Sequence, residues 1–197
     1  MLALLLLSAV VGHTAPVATY AGPIVIAIGR HSSYHLTSAA AGVLFDIDAD
    51  GDLDQVAWTD ADSDTAFLAF DRNGNGTIDN GSELFGDHTI AGAENGFQAL
   101  AAMQRAESGV QRGQIDARDP FYHRLLLWLD RNHDGVSQPG ELQSFKRVFS
   151  SILLYYETTA HQDQHGNFFK YRGMVVERTA PGLNEAVQAA RVPGERA

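Results

Sequence analysis

The 197-residue chain has no cysteine, which excludes disulfides and thiolate-bound metals. Basic residues are scarce: 14 Lys and Arg stand against 24 Asp and Glu, a formal net charge of −10. A surface that tracks phosphates needs the opposite balance, so nucleic acid is not an expected partner. After the N-terminal eleven residues, no apolar run is long enough to span a bilayer. No G-x-S-x-G, H-E-x-x-H or phosphate-loop string occurs, so the common hydrolase, zinc-protease and nucleotide motifs are missing. Low-complexity blocks and solenoid periods are missing too. What remains is 45% hydrophobic, enough for a sizeable core and too much for a disordered chain.

The acid is not spread evenly. Much of it lies in glycine-centred runs, and the clearest is Asp130-Arg-Asn132-His-Asp134-Gly135-Val136-Ser-Gln-Pro-Gly-Glu141. This string fits a twelve-residue EF-hand Ca²⁺ loop. Such a loop takes oxygen donors at positions one, three and five, a backbone carbonyl at seven and a bidentate carboxylate at twelve. Glycine at six permits the positive φ that folds the chain around the ion. The candidate ligands are Asp130, Asn132, Asp134, the Val136 carbonyl and Glu141. Ser137 replaces the usual aliphatic residue at position eight.

A second run, residues 71–83, offers Asp71, Asn73, Asn75, Thr77 at position seven and Asp79, with Gly76 at the turn. Its acid, Glu83, arrives one residue late, and Gly81 is expected to let the chain bulge so that Glu83 still reaches the ion. A third run, residues 46–54, contributes Asp46, Asp48, Asp50, Asp52 and Asp54 around Gly51. It has no acid at position twelve. Five aspartates this close repel strongly without a cation. Asp60, Asp62 and Asp64 follow, either completing that ion's shell or forming a solvated turn. In a fourth run, residues 108–119, the glycine, the aliphatic residue, Asp116 and Asp119 remain, but Arg112 stands at position five. A guanidinium there repels Ca²⁺ and is expected to pair with the remaining carboxylates, holding the loop's shape without metal.

The flanking sequence predicts an α+β fold: a small mixed domain of short strands and helices organised around EF-hand-like calcium loops, with a C-terminal β-hairpin. Residues 23–28, 43–45, 55–58 and 65–70 read as strands. Phe97, Leu100, Ala101 and Met103 mark a short amphipathic helix. Asp119-Pro120 reads as a capped helix start, with Phe121, Leu125, Trp128 and Leu129 at helical spacing. Leu142, Phe145, Val148 and Phe149 are read as a helix leaving the 130–141 loop. Residues 152–156 and 168–172 flank a polar turn at 163–167, which makes a hairpin. His161, Asp163 and His165 at its tip are read as a solvated turn, and Trp58, Phe97 and Trp128 as core. Residues 1–21 read as a signal peptide lacking its basic n-region; the alternatives are a mis-chosen start inside a longer secreted protein and a buried first strand. Residues 22–180 form the calcium-binding domain, and 181–197 a flexible tail bounded by Pro-Gly pairs.

Together these strings resemble the Ca²⁺-dependent module of Gram-negative RTX-type secreted proteins, the iron-regulated, FrpC-like kind. The most telling are Phe70-Asp-Arg-Asn-Gly-Asn-Gly-Thr-Ile-Asp-Asn-Gly-Ser-Glu-Leu-Phe-Gly-Asp87, Asn95-Gly-Phe-Gln-Ala-Leu100 and Leu127-Trp-Leu-Asp-Arg-Asn-His-Asp-Gly-Val-Ser-Gln-Pro-Gly-Glu-Leu142. The resemblance implies a secreted or periplasmic module that folds on meeting extracellular Ca²⁺. In some members it also implies cleavage of an Asp-Pro bond ahead of the module through an aspartyl anhydride. Here Gly22 precedes Pro23, so that route lacks its carboxylate and no self-cleavage is expected. Asp119-Pro120 is the one Asp-Pro bond, and it reads as a helix cap. The family's further aspartate-rich loop is replaced by Ala27-Ile28-Gly29-Arg30-His31, and its glycine-rich nonapeptide repeats are missing. The expected function is Ca²⁺ binding by a structural or interaction module with two or three ions, at an affinity on the order of 10⁻⁴–10⁻³ M. The alternatives are a Ca²⁺-gated self-processing protein and a Ca²⁺-switched adhesin fragment. The sequence names no protein partner.

Overall fold

The computed structural model describes residues 22–28 and 34–178. The leader read at 1–21, the tail read at 181–197 and part of the segment replacing the family's aspartate-rich loop lie outside the described residues. In chain order the elements are β1 (Val25–Ala27), β2 (Val43–Phe45), β3 (Asp54–Val56), β4 (Thr65–Ala69), α1 (Gly96–Ser108), β5 (Gln114–Asp116), β6 (Leu126–Trp128), β7 (Leu142–Ser144), β8 (Phe149–Gln162) and β9 (Phe168–Glu177). Among the described residues, one α-helix and three antiparallel sheets make this a mixed fold.

The sheet β1-β4-β6-β7 is the partition of the molecule. Successive side chains on a strand point to opposite faces. In β4 and its continuation, Ala66, Leu68 and Phe70 enter one apolar cluster, while Phe67 and Ala69 enter another. In and around β6, Leu125, Leu127 and Leu129 enter the first, and Trp128 the second, with Leu126 packed against it. The sheet is therefore buried on both faces. The larger core adds Leu100, Met103, Ile115, Phe121, Tyr122, Phe145 and Ile152, from α1, β5 and β8 among others. The smaller core adds Val43, Phe45, Trp58, Ile78 and Leu84.

This double burial corrects the helical reading of residues 120–129. The spacing of Phe121, Leu125, Trp128 and Leu129 also fits a strand whose two faces are both covered, and the structure has a short 3₁₀ turn, Pro120–Arg124, followed by β6. The helix expected to leave the 130–141 loop is likewise β7 and a 3₁₀ turn, Phe145–Arg147. That loop is thus flanked by strands.

Three expectations match. The amphipathic segment is α1, capped at its N-terminus by Asn95, whose side chain accepts from the Phe97 and Gln98 amides. The 46–54 run joins β2 to β3, which pair antiparallel with Phe45 opposite Asp54. The C-terminal hairpin is β8–β9. At its tip Asp163 accepts from the His165 and Asn167 amides, as a polar turn does.

Candidate metal centre

Three acidic loops lie over the smaller core, and one hydrogen-bond pattern recurs in them. In each, the first carboxylate accepts the N–H of the glycine five residues on. The bonds are Gly51 to Asp46 at 3.2 Å, Gly76 to Asp71 at 2.9 Å and Gly135 to Asp130 at 2.8 Å. All three glycines have positive φ, at 98°, 86° and 70°. In each loop the oxygen at position five also accepts the N–H at position seven at 2.9 Å: Asp52 to Asp50, Thr77 to Asn75 and Val136 to Asp134. The repeat in sequence is a repeat in backbone.

The loops differ in how they close. Around Gly51 the carboxylates of Asp46, Asp48 and Asp50 each place an oxygen within 4.8 Å of the others. Among the described residues this is the one group of three ionisable ligands gathered so closely. Asp52 and Asp54, also expected as ligands, lie outside that group and are exposed. The Asp54 carboxyl is held above its ordinary value by desolvation and then by the charges of Asp48, Asp50, Asp46 and Asp52. The strand that leaves this loop ends without a distant acid.

In the 71–83 loop, Glu83 does fold back. Asn80 caps the 3₁₀ turn Gly81–Glu83, and that turn absorbs the extra residue. The buried Glu83 carboxylate then accepts the N–H groups of Arg72 at 2.8 Å and Asp79 at 2.9 Å. Asn73 and Asn75 each donate an amide N–H to Asp79 at 2.8 Å. The Asn73 bond leads in holding the Asp79 pKa below its ordinary value, against partial desolvation and with help from Thr77 and Asn75.

In the 130–141 loop Glu141 repeats this arrangement. It accepts from Arg131 N–H at 2.9 Å and from Gln138 N–H at 3.3 Å. Asn132 and Gln138 turn side-chain amide donors to Asp134, at 2.8 and 2.9 Å.

Several residues that hold these loops are not evident from the motif. The indole N–H of Trp58 donates to Asp130 at 2.7 Å, and that of Trp128 to Glu141 at 3.4 Å. Both tryptophans are core residues, as their sequence context implies, but each also fixes a loop carboxylate. Ser137 accepts the Ile78 N–H at 2.6 Å, which joins the position-eight residues of two loops. A hydroxyl where an aliphatic residue is usual was the available signal. The Asp46 carbonyl accepts the Gly81 N–H at 2.8 Å. A Cβ on Gly81 would stand 1.7 Å from the Ile47 carbonyl oxygen, so only glycine allows this approach.

His133 links the 130–141 loop to the β2–β3 region. Its ring nitrogens face the carbonyls of Thr59 at 2.7 Å and Ala41 at 2.9 Å. Carbonyl oxygens only accept, so two such contacts suit a doubly protonated ring. Burial opposes that charge, but the two carbonyls, Asp130 and Asp60 outweigh it and raise the His133 pKa. Residues 60–64 lie on this side too, with the Asp62 N–H on the Arg131 carbonyl at 3.2 Å.

The donor set fits a hard cation. Every candidate ligand atom is oxygen, with no imidazole or thiolate among them. A carboxylate has about four lone-pair sites, so one that accepts a single N–H retains capacity for an ion. The residues able to hold such an ion are Asp46, Asp48 and Asp50; Asp71, Asn73, Asn75, Thr77, Asp79 and Glu83; and Asp130, Asn132, Asp134, Val136 and Glu141. Among the described residues no helix is long and apolar enough to cross a membrane.

The 108–119 run lies on the larger core, and Asp119 there makes no cap bond to the turn at Pro120. Its buried carboxylate instead meets the Arg112 guanidinium. The expected pairing is present for Asp119, while Asp116 pairs with Arg118 instead.

The iron-regulated protein FrpA of Neisseria meningitidis serogroup C is 36% identical over 138 residues, which cover 68% of this chain and 12% of that protein. The chain therefore spans a small part of that relative's length. The SPM domain family model matches residues 30–186, a stretch that takes in all the acidic loops. The chain belongs to the SPM domain family.

Proposed function

We propose that this chain is a Ca²⁺-binding structural module of a secreted protein, folding around two or three ions. The observation that carries this reading is the recurrence of one loop geometry, with oxygen donors at the same positions, over a single small core. Ca²⁺ accepts six to eight oxygen ligands in flexible arrangements, which suits loops that differ in how they close. Ions held there would offset carboxylates that otherwise repel, so binding and folding are coupled. Secretion follows from the same reading, because mixed Asp and Asn ligands favour the weak affinities that suit extracellular Ca²⁺. The likeness to FrpA supports the reading.

The module does not cleave itself. Gly22 supplies no side-chain carboxylate ahead of Pro23.

Titration of the full chain with Ca²⁺ tests both statements. Circular dichroism is expected to report a gain of structure, native mass spectrometry two or three bound ions, and a denaturing gel one intact band. A fold indifferent to Ca²⁺, with no ion bound, would overturn the first statement. A new fragment beginning at Pro23 would overturn the second.

A further inference from the structure

The 108–119 loop has the second half of an ion loop without the first. Helix α1 runs through Ser108, where position one would be, and Gly113 at position six lacks the positive φ of its counterparts. From position seven onward the resemblance returns. Residues 114–116 form β5, and the Asp119 N–H closes on the Asp116 carbonyl at 2.8 Å, as the Glu141 N–H closes on Gln138 at 2.9 Å. The Asp119 carboxylate accepts the position-nine N–H, that of Asp116, at 3.0 Å. Glu83 and Glu141 accept theirs from Asp79 and Gln138. Asp119 thus occupies the role of the closing acid.

Two oxygens of the kind that face an ion survive here: the position-seven carbonyl of Gln114 and the Asp119 carboxylate. Both are met by N–H donors. Gln104, fully buried on α1, donates to the Gln114 carbonyl and to Asp119, each at 2.9 Å. The Arg112 guanidinium donates to the same Asp119 oxygen, and the Arg112 backbone N–H donates to the Gln104 side-chain oxygen Oε1 at 2.6 Å. Asp119 is wholly shielded from solvent, so its charge needs a partner.

We propose that Arg112 is a built-in cation: its guanidinium, steadied by Gln104, takes the place of an ion at a fourth loop and makes the α1–β5 side of the molecule independent of Ca²⁺. The inference rests on the reading of the other three loops as Ca²⁺ loops. Ca²⁺ then governs the smaller core together with β6 and β7, the strands on either side of the 130–141 loop. The larger core retains a folded platform on which the three loops assemble when the ion arrives.

Hydrogen exchange on the full chain, with Ca²⁺ and after chelation, tests this. Chelation is expected to speed exchange at least tenfold in residues 43–56, 71–84 and 126–144, and to leave residues 97–119 protected. Arg112→Ala is expected to lose at least tenfold protection in residues 114–119 in both conditions. Added methylguanidinium restores that protection in the variant and changes nothing in the wild type. If the alanine variant does not fold, Arg112→Lys carries the test and is expected to retain chelator-resistant protection in 114–119. Three results would overturn the proposal: equal loss of wild-type protection on both sides after chelation, an Arg112→Ala protein with unchanged protection at 114–119, or an Arg112→Lys protein that loses this protection on chelation. If residues 43–56 and 126–144 ignore chelation, the Ca²⁺ reading itself fails, while the Arg112 result is still read at 114–119.

Discussion

On the small-core face of the central sheet, three loops carry carboxylates that form no ion pair with lysine or arginine among the described residues. On the large-core face, Asp119 meets Arg112, Asp116 meets Arg118 at 2.5 Å, and Glu107 meets Arg124 at 2.8 Å. On the proposed Ca²⁺ reading, related turns reach electrical balance by two routes. One would leave oxygens for an external cation, which would link stability to the medium. The other supplies the cation from the chain, which fixes stability at synthesis. The difference lies in Arg112 and in the first half of the turn, where helix α1 runs through Ser108 and Gly113 lacks the positive φ of its counterparts.

Substitutions can break or sharpen that contrast. The largest effect is expected from Asp119→Ala, which leaves the Arg112 guanidinium without its buried partner. A loss of about 3–5 kcal/mol is expected, since breaking one half of a buried pair costs that much. Urea midpoints should show the same loss with Ca²⁺ and with chelator; a loss that appears only with Ca²⁺ would erase the distinction between the faces. Asp130→Ala is the counterpart, and its cost should grow as Ca²⁺ is added.

Gly81→Ala comes next. The new Cβ is fixed in place by its own backbone, and the Ile47 carbonyl oxygen it meets is itself backbone, so neither can swing aside. About 1–3 kcal/mol or more is expected from such overpacking, with a lowered thermal midpoint and looser coupling between the first two loops. Trp58→Phe retains most of the tilted ring contacts with Phe45 and Phe67 but removes the donor to Asp130. Leaving that charged acceptor short costs about 1–3 kcal/mol. Ser137→Ala should cost about 0.5–1.5 kcal/mol and expose the Ile78 amide to exchange before its neighbours.

The smallest effect concerns acid. Arg118 donates to Asp116 and, with Gln114 and against partial burial, holds the carboxyl well below the usual carboxylate range. The contribution of such a group is complete above the ordinary aspartate value and is lost as pH falls through the lower folded value. Asp116→Asn should therefore flatten part of the decline in denaturation midpoint between about pH 5 and pH 2. An unchanged decline would show that this pair does not stabilise the turn.

The loops were legible because their chemistry depends on local order: Asp130, Gly135 and Glu141 are spaced by the turn itself. Helix α1 and the β8–β9 hairpin were legible for the same reason. The strands β6 and β7 were not. Leu125, Leu126, Leu127, Trp128 and Leu129 form a short continuous apolar run, which periodicity alone cannot assign between helix and strand. Only the existence of two cores decides it, and that is a fact of tertiary structure. The indole donors were hidden likewise, because Trp58 lies 72 residues from Asp130. The grouping of Asp46, Asp48 and Asp50 in the first loop was also hidden, since five aspartates at alternate positions do not say which carboxylates approach one another.

The alternation in β4 and β6 has a consequence for how this sequence can change over time. Each of these strands is a two-sided ruler, with odd residues committed to one core and even residues to the other, or the reverse. Inserting or deleting one residue there would carry every side chain of the strand to the opposite face. The 71–83 loop, by contrast, has already absorbed an extra residue by winding one 3₁₀ turn before Glu83. Descendants of this chain should therefore vary in loop length while the five-residue span of β4 stays fixed.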